Sequence, residues 1–187
     1  QHNRCGAQDK PRNWQSAVVM GLSILSLGVI GLLSWQGPLG YATSVSDMGM
    51  LESLWRDNLA RQISGYTLLG LSVVAAVLAL RKRWSKLNIG RMANWRVIHL
   101  VVGLLALAAL FVHTGMRIGS GSNLALMLVF LAIIIGGSLS GMLTARAERS
   151  PSPSKRSRAG SSIWLHILTL WPLPALLVAH IVKAYMF

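Results

Sequence analysis

Five long apolar stretches decide what this chain can fold into. They cover roughly residues 16–35, 62–80, 95–116, 124–145 and 163–187. Each is long enough for a helix that crosses a bilayer, which takes about 20 residues. Lipid offers the backbone no hydrogen-bond partners, so each stretch is predicted to be helical. The sequence therefore predicts an all-α integral membrane protein, in which a five-helix bundle at 16–187 follows a polar N-terminal tail at 1–15.

Charged residues are distributed unevenly along the chain, which has 18 Lys and Arg against 5 Asp and Glu. The basic residues cluster in the connections at 81–96 and 146–162. The positive-inside rule places both connections and the N-terminus in the cytoplasm, and the C-terminus outside a plasma (bacterial inner) membrane. We expect these charges to contact anionic lipid headgroups. No nucleic-acid partner is expected, because no soluble fold is present to carry a basic surface.

Two further segments have a recognisable composition. Residues 47–62 carry apolar side chains at helical spacing, which predicts an amphipathic helix on the outer membrane surface or a helix packed within the loop. Residues 150–162 are rich in Ser, Pro and basic residues, a composition typical of disordered linkers.

Four histidines lie within the predicted spans. His99 and His113 are on the third span and His166 and His180 are on the fifth, and the members of each couple are 14 residues apart. Fourteen residues bring a helix back to within roughly 40° of its starting direction, so both histidines share one face about 21 Å apart. One helix separates the two spans, which therefore run parallel. We thus expect an inner pair (His99 and His166) and an outer pair (His113 and His180).

Two facing imidazoles can supply both axial ligands of a haem iron, so the four histidines predict two b-type haems. Covalent attachment is excluded, because Cys5 is the only cysteine and no C-x-x-C-H motif is present. The competing interpretation is that the histidines only make hydrogen bonds between helices. A single histidine is often explained that way, but two equally spaced couples at matching levels favour the haems.

Three basic residues close to these histidines are candidates for binding haem propionates. Arg117 and Lys183 are predicted at the outer end and Arg96 at the inner end. Each is equally well explained as a side chain that extends from the interface to water. Glycines 103, 136, 137 and 141 are expected either to make room for porphyrin or to pack helices together.

At this point the sequence resembles a known kind of protein. The matching segments are W-R-V-I-H at 95–99, F-V-H-T-G at 111–115, W-L-H at 164–166 and A-H-I at 179–181. Over roughly 62–187 the chain resembles the two-haem bundle of respiratory cytochrome b, and equally the ferric-reductase-like transmembrane domain shared with NADPH oxidases. The flavin and NADPH domain of the reductases and the additional helices of cytochrome b have no counterpart here. The resemblance thus implies the electron-carrying core alone.

The sequence predicts a subunit of a redox complex that moves electrons between a quinone pool or cytoplasmic donor and an extracytoplasmic acceptor. The expected partner is a cytochrome or iron–sulfur subunit, and a bound quinone is a further candidate cofactor. Two alternatives stay open: a non-redox membrane anchor or assembly subunit, and a stand-alone haem reductase fed by a separate flavoprotein.

Overall fold

The computed structural model describes residues 13–35, 57–80, 92–115, 120–149 and 152–186. These residues form helices joined by short turns, and no strand occurs among them. In chain order the helices are α1 (Asn13–Trp35), α2 (Asn58–Leu80), α3 (Met92–Thr114), α4 (Ser122–Arg149), α5 (Pro153–Leu170) and α6 (Leu173–Met186).

The described helices provide five segments long and apolar enough to cross a membrane, as the sequence predicts. Helices α1 to α4 supply one each, and α5 and α6 together form the fifth, Pro153–Met186. Many large aliphatic side chains face outward, for example Leu32, which is 68% exposed, and Val178, which is 62% exposed. In water such a surface would be unfavourable, whereas in lipid it is the expected exterior of a helical bundle.

The fifth span is broken where prolines interrupt it. Pro172 has no N–H to continue the helical ladder. The Trp171 N–H instead donates to the Leu168 carbonyl (3.2 Å), and the ladder resumes with Leu176 N–H donating to the Pro172 carbonyl (3.1 Å). The break lies between the levels of the two histidines on this span.

The prediction of a disordered linker at 150–162 is wrong for residues 153–162, because these residues belong to α5. Ser152 is extended at the N-cap position and proline occupies the first helical turn, where a missing N–H costs nothing. Lys, Arg and Ala then follow, all good helix formers. The segment is polar, but polarity alone does not prevent a helix that leads into a membrane span.

The surface helix predicted at 47–62 lies largely outside the described residues. Its last part belongs to α2, whose span therefore begins earlier than the predicted residue 62. The Asp57 carboxylate accepts a hydrogen bond from the Leu59 N–H (3.0 Å), which caps the start of this helix.

The packing order of the helices leaves a gap between the two histidine-bearing spans. Helix α2 packs on α3, α4 packs on α5 and α6, and α1 packs on both α3 and α4. Among the described residues no Cα atom of α3 comes within 8 Å of one in α5 or α6. Helix pairs in direct contact have axes about 8–10 Å apart with many closer Cα pairs. Side chains alone therefore reach across between α3 and the fifth span.

Candidate functional site

The four span histidines meet across this gap in two pairs. The ring centroids of His99 and His166 are 6.4 Å apart, with ring planes at 77°. Those of His113 and His180 are 6.3 Å apart, with planes at 79°. These are the inner and outer pairs expected from parallel spans, and the antiparallel grouping of His99 with His180 does not occur.

The separation within each pair suits a single metal atom between the rings. Imidazole–metal bonds are about 2.0–2.1 Å long, and a ring with bonds of about 1.33 Å has a radius near 1.1 Å. Two imidazoles on opposite sides of one metal would then have centroids about 6.3 Å apart. No group of three or more His, Cys, Asp or Glu side chains able to hold a metal occurs among the described residues. Two imidazoles are the number that a haem iron takes as axial ligands.

A cavity lies next to the inner pair and is lined mostly by apolar side chains. His99 and His166 both line it, and small residues from three helices, including Ala76, Gly103 and Gly137, contribute to its wall. A Cβ added at Gly103 would meet nothing within 4 Å, so this position borders open space. The space beside the inner histidines is thus bordered by small and mostly apolar side chains.

Two glycines let histidine rings lie directly against a neighbouring helix. A Cβ added at Gly65 of α2 would be 3.1 Å from Cε1 of His113, and one added at Gly137 of α4 would be 3.1 Å from Cε1 of His166. Ordinary carbon contacts are about 3.5–4.0 Å, so no larger residue fits without displacing the ring. Each glycine thus braces one ring of one pair.

Gly136 and Gly141 were also proposed from the sequence to make room for porphyrin, and their contacts differ from each other. A Cβ at Gly136 would make ordinary contact with His166, at 3.6 Å from its Nδ1. A Cβ at Gly141 would lie 2.9 Å from Oγ of Ser23 on α1. Gly141 therefore serves the close packing of α1 on α4 and does not face a histidine.

The outer imidazoles are hydrogen-bonded at Nδ1. The Ser64 hydroxyl lies 3.1 Å from Nδ1 of His113, and the amide oxygen of Asn123 lies 3.0 Å from Nδ1 of His180. Neither partner was predicted from the sequence, because Ser64 is 49 residues and Asn123 is 57 residues away from its histidine. Only the packing of α2 on α3 and of α4 on α6 brings them together.

The inner imidazoles differ in this respect. Nδ1 of His99 and Nδ1 of His166 are both buried, and neither has a side-chain hydrogen-bond partner in the described part of the chain. Their polar neighbours are backbone groups, of Ala75 for His99 and of Ile133 for His166. The two pairs thus have similar ring geometry but different hydrogen bonding.

The basic residues proposed from the sequence have different surroundings. Arg96 forms an ion pair with Glu148 that joins α3 to α4, while Lys183 is exposed. Arg117 lies outside the described residues. A cation that the sequence analysis missed is Arg61, which is close enough to His113 to act on it electrostatically. Arg61 lies on another helix, so sequence proximity to a histidine could not have identified it.

The Arg96–Glu148 ion pair belongs to a polar cluster at one end of the bundle. The Ser16 hydroxyl donates to the Glu148 carboxylate (3.2 Å), and the Gln15 amide donates to the Asn94 side chain (2.6 Å). These contacts tie α1 to α3 and α4 at the end where the inner pair lies.

The comparisons with known proteins add no relative. No family model matches the chain, and neither a curated protein nor a solved structure is similar to it.

Proposed function

We propose that this chain is a two-haem b-type membrane cytochrome, the electron-carrying subunit of a redox complex. The observation that carries the proposal is the pair of ring separations, 6.4 and 6.3 Å, across a gap that the backbones leave open. Two imidazoles that far apart fit the two axial positions of one haem iron. His99 and His166 would hold the inner haem, and His113 and His180 the outer haem.

The residues around the histidines prepare the site for such a group. Gly65 and Gly137 set the positions of two rings, and the small residues at the inner cavity leave room beside them. When bound, haem supplies one-electron chemistry between ferrous and ferric iron. The lining of the inner cavity is largely apolar, and an apolar shell around a metal site controls solvent access and the reduction potential of the metal.

The spacing of the two levels suits transfer across a membrane. Fourteen helical residues place the levels about 21 Å apart, most of the roughly 30 Å thickness of the hydrocarbon core. Arg61, Lys183 and Arg117 are the cations available to outer propionates, since Arg61 lies near His113 and the other two follow the outer histidines in sequence. Arg96 is already neutralised by Glu148, which leaves it less suited to an inner propionate.

The proposed electron path joins a quinone pool or cytoplasmic donor to an extracytoplasmic redox partner, such as a cytochrome or iron–sulfur subunit. The positive-inside argument supports the placing of the inner pair towards the cytoplasm. A stand-alone reductase fed by a soluble flavoprotein would use the same haems and differ only in its donor.

A reduced-minus-oxidised visible spectrum of the purified chain tests the proposal. Imidazoles in direct edge-to-face contact can have similar centroid separations. The same histidine geometry therefore also fits a non-redox anchor, which would show no haem bands. Protein that assembles with haem should show b-type bands and about two haems per chain. A matched control is His2→Ala, which removes a histidine from the N-terminal tail and should leave both haems bound. Absence of haem from folded, membrane-inserted protein would refute the proposal.

A further inference from the structure

The two histidine pairs share their geometry but differ in what their Nδ1 atoms contact. Both outer Nδ1 atoms have a side-chain hydrogen-bond partner, whereas both inner ones have no side-chain partner among the described residues and lie near the backbone of Ala75 and Ile133. The nitrogen that does not bind a metal controls how strongly the other nitrogen donates electrons. This difference therefore bears on the electronic properties of the two levels.

The direction of the hydrogen bond at His113 follows from the second contact of its partner. The Ser64 hydroxyl donates to the Arg61 carbonyl (3.0 Å), which uses its only proton. A hydroxyl that keeps this contact accepts from His113, in which case Nδ1 of that ring carries the proton. Nε2 of that ring is left with its lone pair free for a metal.

The bond at His180 has the same direction for a simpler reason. The atom that faces Nδ1 is the Asn123 amide oxygen, which accepts hydrogen bonds and cannot donate. Nδ1 of His180 is therefore the donor, and its Nε2 is again free. Both outer rings are held in the tautomer that an axial ligand requires.

We propose that Asn123 and Ser64 are positioning residues that fix the tautomer of the outer imidazoles and lower the reduction potential of the outer haem. An acceptor on Nδ1–H increases the basicity of the imidazole. A more basic axial ligand stabilises ferric over ferrous iron. The inference rests on the proposed function, because it concerns a haem held by His113 and His180.

Asn123 is the better residue to test, since its variants leave the neighbouring cation in place. Arg61 is close enough to His113 to act on it electrostatically, and its carbonyl accepts a hydrogen bond from the Ser64 hydroxyl. A Ser64 variant can therefore also move the charge of Arg61. Asn123 is exposed and is on α4, whereas Arg61 is on α2. Replacing it therefore creates no buried cavity.

The experiment is an optical redox titration of haem-loaded protein carrying Asn123→Leu, Asn123→Asp or Ser64→Ala. Asn123→Leu removes the acceptor and should raise one of the two midpoint potentials by about 59 mV, the one-electron equivalent of a roughly tenfold change. Asn123→Asp offers a stronger, charged acceptor and should lower the same potential. Ser64→Ala should move that potential upward, and the other potential should stay unchanged in every variant.

Ser72→Ala is the matched control for the serine substitution. Ser72 is also on α2, and its hydroxyl donates to the Leu68 carbonyl within the helix (2.8 Å), not to a histidine. Ser72 lines the cavity beside the inner pair, so Ser72→Ala should leave the outer potential at its original value. Loss of only the outer haem from the folded Asn123→Leu protein would also support the assignment.

Two results would overturn the inference. The first is that Asn123→Leu and Asn123→Asp leave the haem content and both midpoint potentials unchanged. The second is that the two variants shift the same potential in the same direction, which would indicate a structural role only. Wild-type protein without haem would refute the proposed function first, and the present assignment with it. Haem content of the wild type thus separates the two failures.

Discussion

Substitution of Gly65 by valine should displace the outer haem while leaving the inner one bound. The position lies on α2, directly against the His113 ring, where an added Cβ would come within 3.1 Å of Cε1. Gly70 on the same helix provides the matched control, because a Cβ there would meet nothing within 4 Å. Valine changes the helix propensity equally at both positions, so the difference between the two variants isolates the contact with the ring.

The size of the effect follows from the contact. A carbon pair at 3.1 Å is shorter than an ordinary contact by about 0.4–0.9 Å, and valine adds two methyl groups beyond the Cβ. The His113 ring must then tilt or move, which takes Nδ1 away from Ser64 and Nε2 away from the metal position. Overpacking of this kind costs about 1–3 kcal/mol, equivalent to about 5- to 150-fold weaker retention of the outer haem.

The assay is haem stoichiometry and redox titration of both glycine variants after purification in detergent. Gly70→Val should keep two haems per chain, whereas Gly65→Val should approach one and lose the potential that the Asn123 variants shift. Equal haem loss from both variants would show that the ring contact is irrelevant. Loss of the inner haem from Gly65→Val would show that the helices pack differently.

Three further outcomes are expected. His113→Ala should lose only the outer haem and His99→Ala only the inner one, measured as haem content; if both variants lost both haems, the two levels would not be independent sites. Reporter fusions after Ser154 and after Phe187 should lie in opposite compartments, because the basic connections are expected inside, and matching compartments would indicate a miscounted span. Ring planes at 77° and 79° should give strongly anisotropic low-spin ferric EPR signals, whereas signals typical of parallel planes would contradict the ring geometry.

The membrane fold and the histidine pairing could be predicted from the sequence because both depend on strong local patterns. A run of about 20 apolar residues has few alternatives to a spanning helix. A spacing of 14 residues fixes which histidines share a face, and the number of spans between them fixes their direction. His99 and His113 could therefore be matched with His166 and His180 without any knowledge of loops.

The supporting residues could not be predicted, since they depend on which helices are neighbours. Ser64, Asn123 and Gly65 come from helices other than those of the histidines they contact, and nothing in their local sequence distinguishes them from ordinary membrane-helix residues. Arg96 illustrates the same point: its position near His99 suggested a propionate ligand, and the fold also gives it an ion-pair partner, Glu148, from another helix.

The contacts of Gly65, Gly137 and Asn123 lead to a final prediction, because each of them belongs to only one of the two histidine pairs. The two bracing contacts are alike, at 3.1 Å on Gly65 and on Gly137, but they act on different pairs about 21 Å apart along the helices. Asn123 acts on the outer pair alone. In double-mutant cycles measured by thermal unfolding of haem-loaded protein, Gly65→Val and Asn123→Leu should be coupled by about 0.5–3 kcal/mol, because both weaken one haem. Gly137→Val and Asn123→Leu should add within about 0.5 kcal/mol. Equal coupling in both cycles would mean that the bundle responds as a single unit, and two independently built haem sites would then be the wrong description.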